Sequence, residues 1–139
     1  MTERKAPTQI ELKKLLNYYK NSLYKEAEDL ALSISENYPD HPFSWKVLGS
    51  IYRQSNELLK SLDFSKRANL LDPKDYEIHN NLGNLFQDLG RFEEAAFSFK
   101  KVVDLNSNFQ NAYYNLANVL RKLGKVEDAK LNYNFALEK

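Results

Sequence analysis

The chain repeats itself every 34 residues, and this period limits its fold more than any other feature. Leu48, Leu82 and Leu116 lie one period apart. So do Gly49, Gly83 and Ala117, and so do Tyr52, Phe86 and Leu120. Ala27, Ser61, Ala95 and Ala129 form a four-membered column of small residues at the same interval, and no insertion breaks the count. A period of this length means one supersecondary unit copied in tandem, because each copy buries its apolar side only against its neighbours.

Each copy holds two apolar-periodic stretches of about 13 residues, the length of ordinary globular helices. Between them stands a residue that tolerates the left-handed conformation ending a helix: Asn56, Gly90 or Gly124. Acidic residues open the next stretch in Glu93, Glu94, Glu127 and Asp128, where the helix dipole favours them. Thr8 and Glu11 have capping-box spacing for the first helix. The small column lets two helix backbones approach closely. Trp45, Tyr52, Phe86, Phe99, Tyr113 and Tyr133 are the large residues expected to fill the space between neighbouring pairs. With 42% apolar and 28% charged residues the chain can build a core, and four glycines with four prolines are too few for a loop-rich or all-β fold.

The pattern Trp45-x-x-Leu48-Gly49-x-x-Tyr52, followed by a small residue and then Pro73, resembles the tetratricopeptide repeat family over nearly the whole chain. That resemblance implies an all-α fold, a right-handed α-α superhelix (solenoid) of about four helix-turn-helix units. The units fall at 8–41, 42–75, 76–109 and 110–139, after an N-terminal tail at 1–7. The first unit is degenerate: Glu11 and Lys14 stand in the columns of Trp45 and Leu48, and Leu15 stands in the glycine column. A terminal repeat has one face without a neighbour, so a polar variant suits it. The chain begins like a natural N-terminus and stops at Lys139 inside the last helix, so the fourth unit reads as truncated. On that helix Leu131 and Phe135 occupy columns where earlier copies mostly carry polar residues (Asp29 and Asp63; Ser33, Arg67 and Lys101). Two readings stay open: an incidental packing pair, or a docking face for a further repeat, another domain or a second subunit.

Chemistry is sparse. The two histidines, His41 and His79, are far apart in sequence, and His79 sits in the Trp45 column as a packed aromatic. There is no cysteine, so no disulfide, thiolate metal site or zinc spacing exists. The phosphate-cradling glycine patterns are missing as well. No cofactor, metal or catalytic activity is expected. A net charge of +1 from 20 basic and 19 acidic residues gives no footprint for nucleic acid or a membrane surface. The start "MTERKAPTQIELKK" has no apolar run, so neither a signal peptide nor a spanning segment is expected, and the protein reads as cytoplasmic.

In a helical solenoid the first helix of each pair lines the concave surface. The family resemblance assigns inward positions to Lys46, Val47, Ser50 and Arg53 in the second unit. In the third it assigns Asn80, Asn81 and Asn84; in the fourth, Asn111, Tyr114, Asn115, Asn118, Arg121 and Lys122. The inward positions number about 24 in all, six in each of the four units, and an even spread of the chain's 15 asparagines would leave roughly 2.6 there, fewer than these six. A side-chain amide offers one acceptor oxygen and two donor hydrogens, so it can pair with both groups of a peptide unit. Asn81 and Asn115, with Asn84 and Asn118 one turn on, would form rungs along an extended chain. This resembles the asparagine ladder of O-linked N-acetylglucosamine transferases, and "NNLGN" and "LGRFEEA" look like that subgroup. The family's carboxylate clamp fits less well: Lys46 and Asn81 match, whereas Ser50, Asn111 and Asn115 depart from it.

The leading expectation is a non-catalytic module that binds an extended peptide or protein segment through these residues. One alternative is the substrate-recruiting region of a larger transferase, as in N-terminal arrays of bacterial glycosyltransferases or sulfotransferases. The other is a self-association scaffold working through Leu131 and Phe135.

Overall fold

The computed structural model describes residues 6–138; most of the tail at 1–7, and Lys139, lie outside the described residues. Eight α-helices follow one another among them: α1 (Gln9–Lys20), α2 (Tyr24–Asn37), α3 (Pro42–Gln54), α4 (Leu58–Leu71), α5 (Tyr76–Asp88), α6 (Phe92–Leu105), α7 (Gln110–Lys122) and α8 (Val126–Glu138). No strand occurs among the described residues. The chain forms two compact units, one ending at Asp72 and one beginning at Pro73.

The turns inside the four helix pairs share one geometry. Ser22, Asn56, Gly90 and Gly124 all have positive φ, at 60°, 62°, 74° and 80°. After each, the next residue's N–H reaches back five residues to close the helix end: Leu23 to Tyr18, Glu57 to Tyr52, Arg91 to Phe86 and Lys125 to Leu120. Asn56, Gly90 and Gly124 are the stops the sequence announces. Ser22 completes their column although serine gains nothing from a left-handed backbone. At the first helix start, the Thr8 hydroxyl accepts from the Glu11 N–H while the Glu11 carboxylate accepts from the Thr8 N–H, the expected capping box.

In the first unit, Leu15, Ala27, Ala31, Ile34, Val47, Leu48 and Ile51 form a buried cluster. Leu15 is fully buried, so the apolar residue in the glycine column of the first copy serves the core rather than a solvent face. Ser35 and Ser44, both buried, satisfy each other through a 2.8 Å hydrogen bond. α3 and α4 approach closely: the Ser61 hydroxyl donates to the Gly49 carbonyl at 2.6 Å, and a Cβ at Gly49 would lie 2.4 Å from the Ser65 Oγ.

In the second unit the same register packs differently. Gly83 of α5 faces Phe99 of α6, whose ring would lie 2.6 Å from a Cβ at that glycine. Phe99 is fully buried with Ile78, Leu85, Val102 and Val119. One period later the pair is Ala117 and Tyr133, and Tyr133 is only half-buried. Its ring stands edge-on to Tyr114 at 5.8 Å, and its hydroxyl donates to the Asn118 side-chain oxygen.

A second periodic bond ties the loop before each first helix. The Trp45 Nε1–H donates to the Pro39 carbonyl at 2.9 Å. His79 Nε2 lies 2.7 Å from the Pro73 carbonyl, and the Tyr113 hydroxyl donates to the Ser107 carbonyl at 3.1 Å. Indole, imidazole and phenol are chemically unlike, yet each reaches the carbonyl six residues back. A carbonyl cannot donate, so His79 carries its proton on Nε2. The aromatic reading of His79 holds, since the ring is buried in this column.

Candidate functional site

The amides singled out from the sequence lie on α5 and α7 of the second unit. Asn80, Asn81 and Asn84 are half-buried on α5; Asn115 and Asn118 are half-buried on α7, and Asn111 is exposed. Spacing of three and four residues puts Asn80, Asn81 and Asn84 on one helix side, because the helix turns once per 3.6 residues. The same spacing relates Asn111, Asn115 and Asn118. Three of these amides have defined local circumstances. The Asn80 Oδ1 is shut from solvent without a hydrogen-bond partner among the described residues. The Asn118 Oδ1 accepts from Tyr133 of α8. Asn81 takes part in an interaction within the protein.

The remaining candidates divide by position. Tyr114 is exposed against Tyr133, and Arg121 is exposed at the end of α7. Lys122 leans back over the Phe92 ring of α6, 4.9 Å from its centroid. On α3 of the first unit, Lys46, Ser50 and Arg53 are half-buried and each engages in an interaction within the protein. Val47 belongs to the buried cluster of that unit instead of presenting itself to solvent.

Leu131 and Phe135, expected to act together, part company. Leu131 is 52% exposed, whereas Phe135 is 36% exposed and packs on Tyr113 with ring centroids 5.7 Å apart. Phe135 lines a groove of about 480 Å³ among α6, α7 and α8. Sequence reasoning missed this groove. The signal that marks it is Phe97, the same column as Leu131 one copy earlier, which stands 65% exposed on its edge.

Among the described residues no set of three or more histidine, aspartate or glutamate side chains is arranged to hold a metal ion. Among the described residues no helix is long and apolar enough to cross a membrane. The Tyr52 hydroxyl departs from its ordinary acidity. Tyr52 is pushed up, first by burial and then by the nearby Glu28 carboxylate, which also accepts its hydroxyl at 3.2 Å, and by Glu57.

These features define a class: tandem α-helical hairpins with a fixed period, an all-α repeat fold. The comparisons agree. Residues 76–109 match the model of the tetratricopeptide repeat, and residues 98–130 match a second model of the same description. Over residues 76–130 the chain is thus similar to tetratricopeptide repeats. Superkiller protein 3 of Schizosaccharomyces pombe is 30% identical over 77 residues, 55% of this chain. That match spans only 5% of the length of the yeast protein. The solved structure of MamA superposes with a TM-score of 0.86 at 20% identity, covering 92% of this chain and 75% of that one. A second MamA structure, MSR-1, gives 0.77 at 24% identity over 93% of this chain and 74% of that one. At these identities the likeness is one of fold. It establishes the all-α repeat class expected of a tetratricopeptide solenoid.

Proposed function

We propose that the protein is a non-catalytic interaction module whose second unit grips the backbone of an extended peptide or protein segment through the amides of α5 and α7. Asn81 and Asn115 supply one pair of rungs, and Asn84 and Asn118 the next. Asn80, Asn111 and Tyr114 flank them, and Arg121 and Lys122 favour a partner with acidic groups. On the first unit, Lys46, Arg53 and Ser50 offer cations and a hydroxyl to the same kind of partner.

The observation that carries the reading is the Tyr133–Asn118 bond. The phenol occupies one acceptor site of the amide and fixes its plane, so the two N–H donors have a set direction before any partner arrives.

The test is a peptide selected by display against the protein. Replacing Asn81 and Asn115 together by alanine should weaken its binding roughly tenfold or more, since several peptide hydrogen bonds are lost. Tyr133→Phe should weaken it less, by freeing the Asn118 amide. Unchanged affinity in the double variant, with an unaltered thermal melt, would end the backbone-reading proposal.

A further inference from the structure

The two units build the same crevice and fill it differently. In the first unit, Phe64 of α4 lies between Trp45 and Tyr52 of α3, with ring centroids 5.8 and 5.1 Å away and interplanar angles of 24° and 23°. Arg67 covers Trp45 at 4.8 Å, and the Lys60 ammonium sits 5.8 Å from the centre of the Tyr52 ring. The Tyr52 hydroxyl closes the crevice by bonding Glu28 of α2. An aromatic plug is thus built into the first unit, and three polar side chains seal it.

Two periods later every one of these six positions carries a different residue, and the plug and its polar seal are missing. Trp45 becomes Tyr113, Tyr52 becomes Leu120, and the plug Phe64 becomes Asn132. Arg67 becomes Phe135, Lys60 becomes Asp128, and Glu28 becomes Ala96. Leu120 has no hydroxyl to reach across, and Ala96 could not accept it. The Asn132 amide folds back along its own helix and donates to the Asp128 carbonyl at 2.9 Å. All six replacement residues line the groove of about 480 Å³. Phe97, Tyr113 and Phe135 are its aromatic walls, and Lys100, Asp104, Lys125 and Asp128 also line it.

The geometry points to a second interaction surface here, on α6, α7 and α8, which takes an aromatic side chain projecting from a segment of a partner protein. The chain itself supplies the template: Phe64 shows what this crevice holds when it is full. In the second unit the same place is walled by rings and left open, so the missing ring comes from outside. Exposed Phe97 and Phe135 give the incoming ring two edge-on partners, the arrangement aromatic pairs favour. Rim charges of both signs accommodate polar residues flanking the anchor. The lining side chains of α7 (Tyr113, Leu116 and Leu120) are distinct from Asn111, Asn115 and Asn118, so this surface does not depend on the amide proposal.

Two measurements test it. The first titrates the labelled protein with the blocked pentapeptide Gly-Ser-Phe-Ser-Gly and its leucine and alanine counterparts, followed by amide chemical shifts. The phenylalanine peptide should move resonances of Phe97, Lys100, Asn132 and Phe135, with an affinity roughly tenfold or more above the alanine peptide. The second is Asn132→Phe, which restores the plug of the first unit. It should raise the thermal midpoint and abolish those shifts. Phe135→Arg, which copies Arg67, should weaken peptide binding without loss of helicity. Three outcomes would overturn the proposal: equal response to all three peptides, shifts confined to other surfaces, or a lowered midpoint in Asn132→Phe. Concentration-dependent dimers that Phe135→Arg dissolves would make the occupant a second copy of this chain, and would equally overturn it.

Discussion

Replacing Gly83 by alanine would test the packing logic of the repeat most directly. A Cβ built there lies 2.6 Å from one Phe99 ring carbon and 2.7 and 2.8 Å from two others. Atoms do not remain at such distances, so the ring or the helix must move. Phe99 is fully buried, and its ring cannot flex as a chain end can. Relief therefore requires an off-rotamer ring or a shift of α5 from α6, at about 2–3 kcal/mol. Against this, alanine gains about 1 kcal/mol over glycine in a helix interior. The net loss is about 1–2 kcal/mol. With a urea dependence of about 1–3 kcal/mol per molar, the midpoint should fall by roughly 0.3–2 M.

Gly49→Ala is the matched control, one period earlier. Its Cβ meets only the Ser65 hydroxyl at 2.4 Å, and the next atoms stand at an ordinary 3.5 Å. A helical serine can turn its hydroxyl onto a carbonyl of the preceding turn, so this clash is relieved at little cost. The propensity gain then dominates, and stability should rise or hold. Far-UV circular dichroism in urea reports both variants. Fluorescence alone is unsuitable, because the single tryptophan, Trp45, lies in the first unit. The natural sequence has already performed the swap at Ala117, and the aromatic in the Phe99 register there, Tyr133, is half-exposed. An unchanged or raised midpoint for Gly83→Ala, or a larger loss for Gly49→Ala, would refute the reasoning.

Three further outcomes are expected. Ser22→Gly should stabilise the first unit by about 1 kcal/mol, since φ of 60° strains a residue with a Cβ; a thermal melt that falls instead would show that the serine side chain matters more. Tyr52 has a folded-state value above its unfolded one, so its contribution is intact below pH about 10 and is lost as pH rises through the raised value. Tyr52→Phe should flatten that part of the alkaline unfolding curve, as followed by ellipticity. His79→Phe should keep the buried ring but lose the bond to the Pro73 carbonyl, lowering stability by about 0.5–1.5 kcal/mol in urea titration.

The helix pairs were legible because a period constrains every copy together. Gly90 and Gly124 announce the turn that Ser22 also makes, although serine alone would never suggest it. Within one copy Leu15 looks like a departure from the glycine column. Its burial shows that the column asks only that the space be filled, by a partner ring at Gly83 or by its own side chain at position 15. The carbonyl bonds of Trp45, His79 and Tyr113 escape pattern reading for the opposite reason. They share a direction and a reach, not a residue type, and sequence columns record types.

The candidate surfaces follow a different rule, and this explains why they were only half legible. An amide's column position gives its helix face, but its hydrogen-bond duties depend on a side chain from another helix. Tyr133 reaches Asn118 because Ala117, unlike Gly83, leaves a Cβ in the register where a ring would otherwise be buried. The groove likewise depends on a residue that is absent. Asn132 is unremarkable in its own helix and becomes informative only beside Phe64, the ring that fills the equivalent crevice. Leu131 and Phe135 looked alike because both are apolar in polar columns. They separate once Tyr113 offers Phe135 a wall and leaves Leu131 exposed. In a tandem repeat the shared residues are accounted for by packing common to all copies. The positions where one copy drops a ring that another copy needs are those where stability leaves room for a partner.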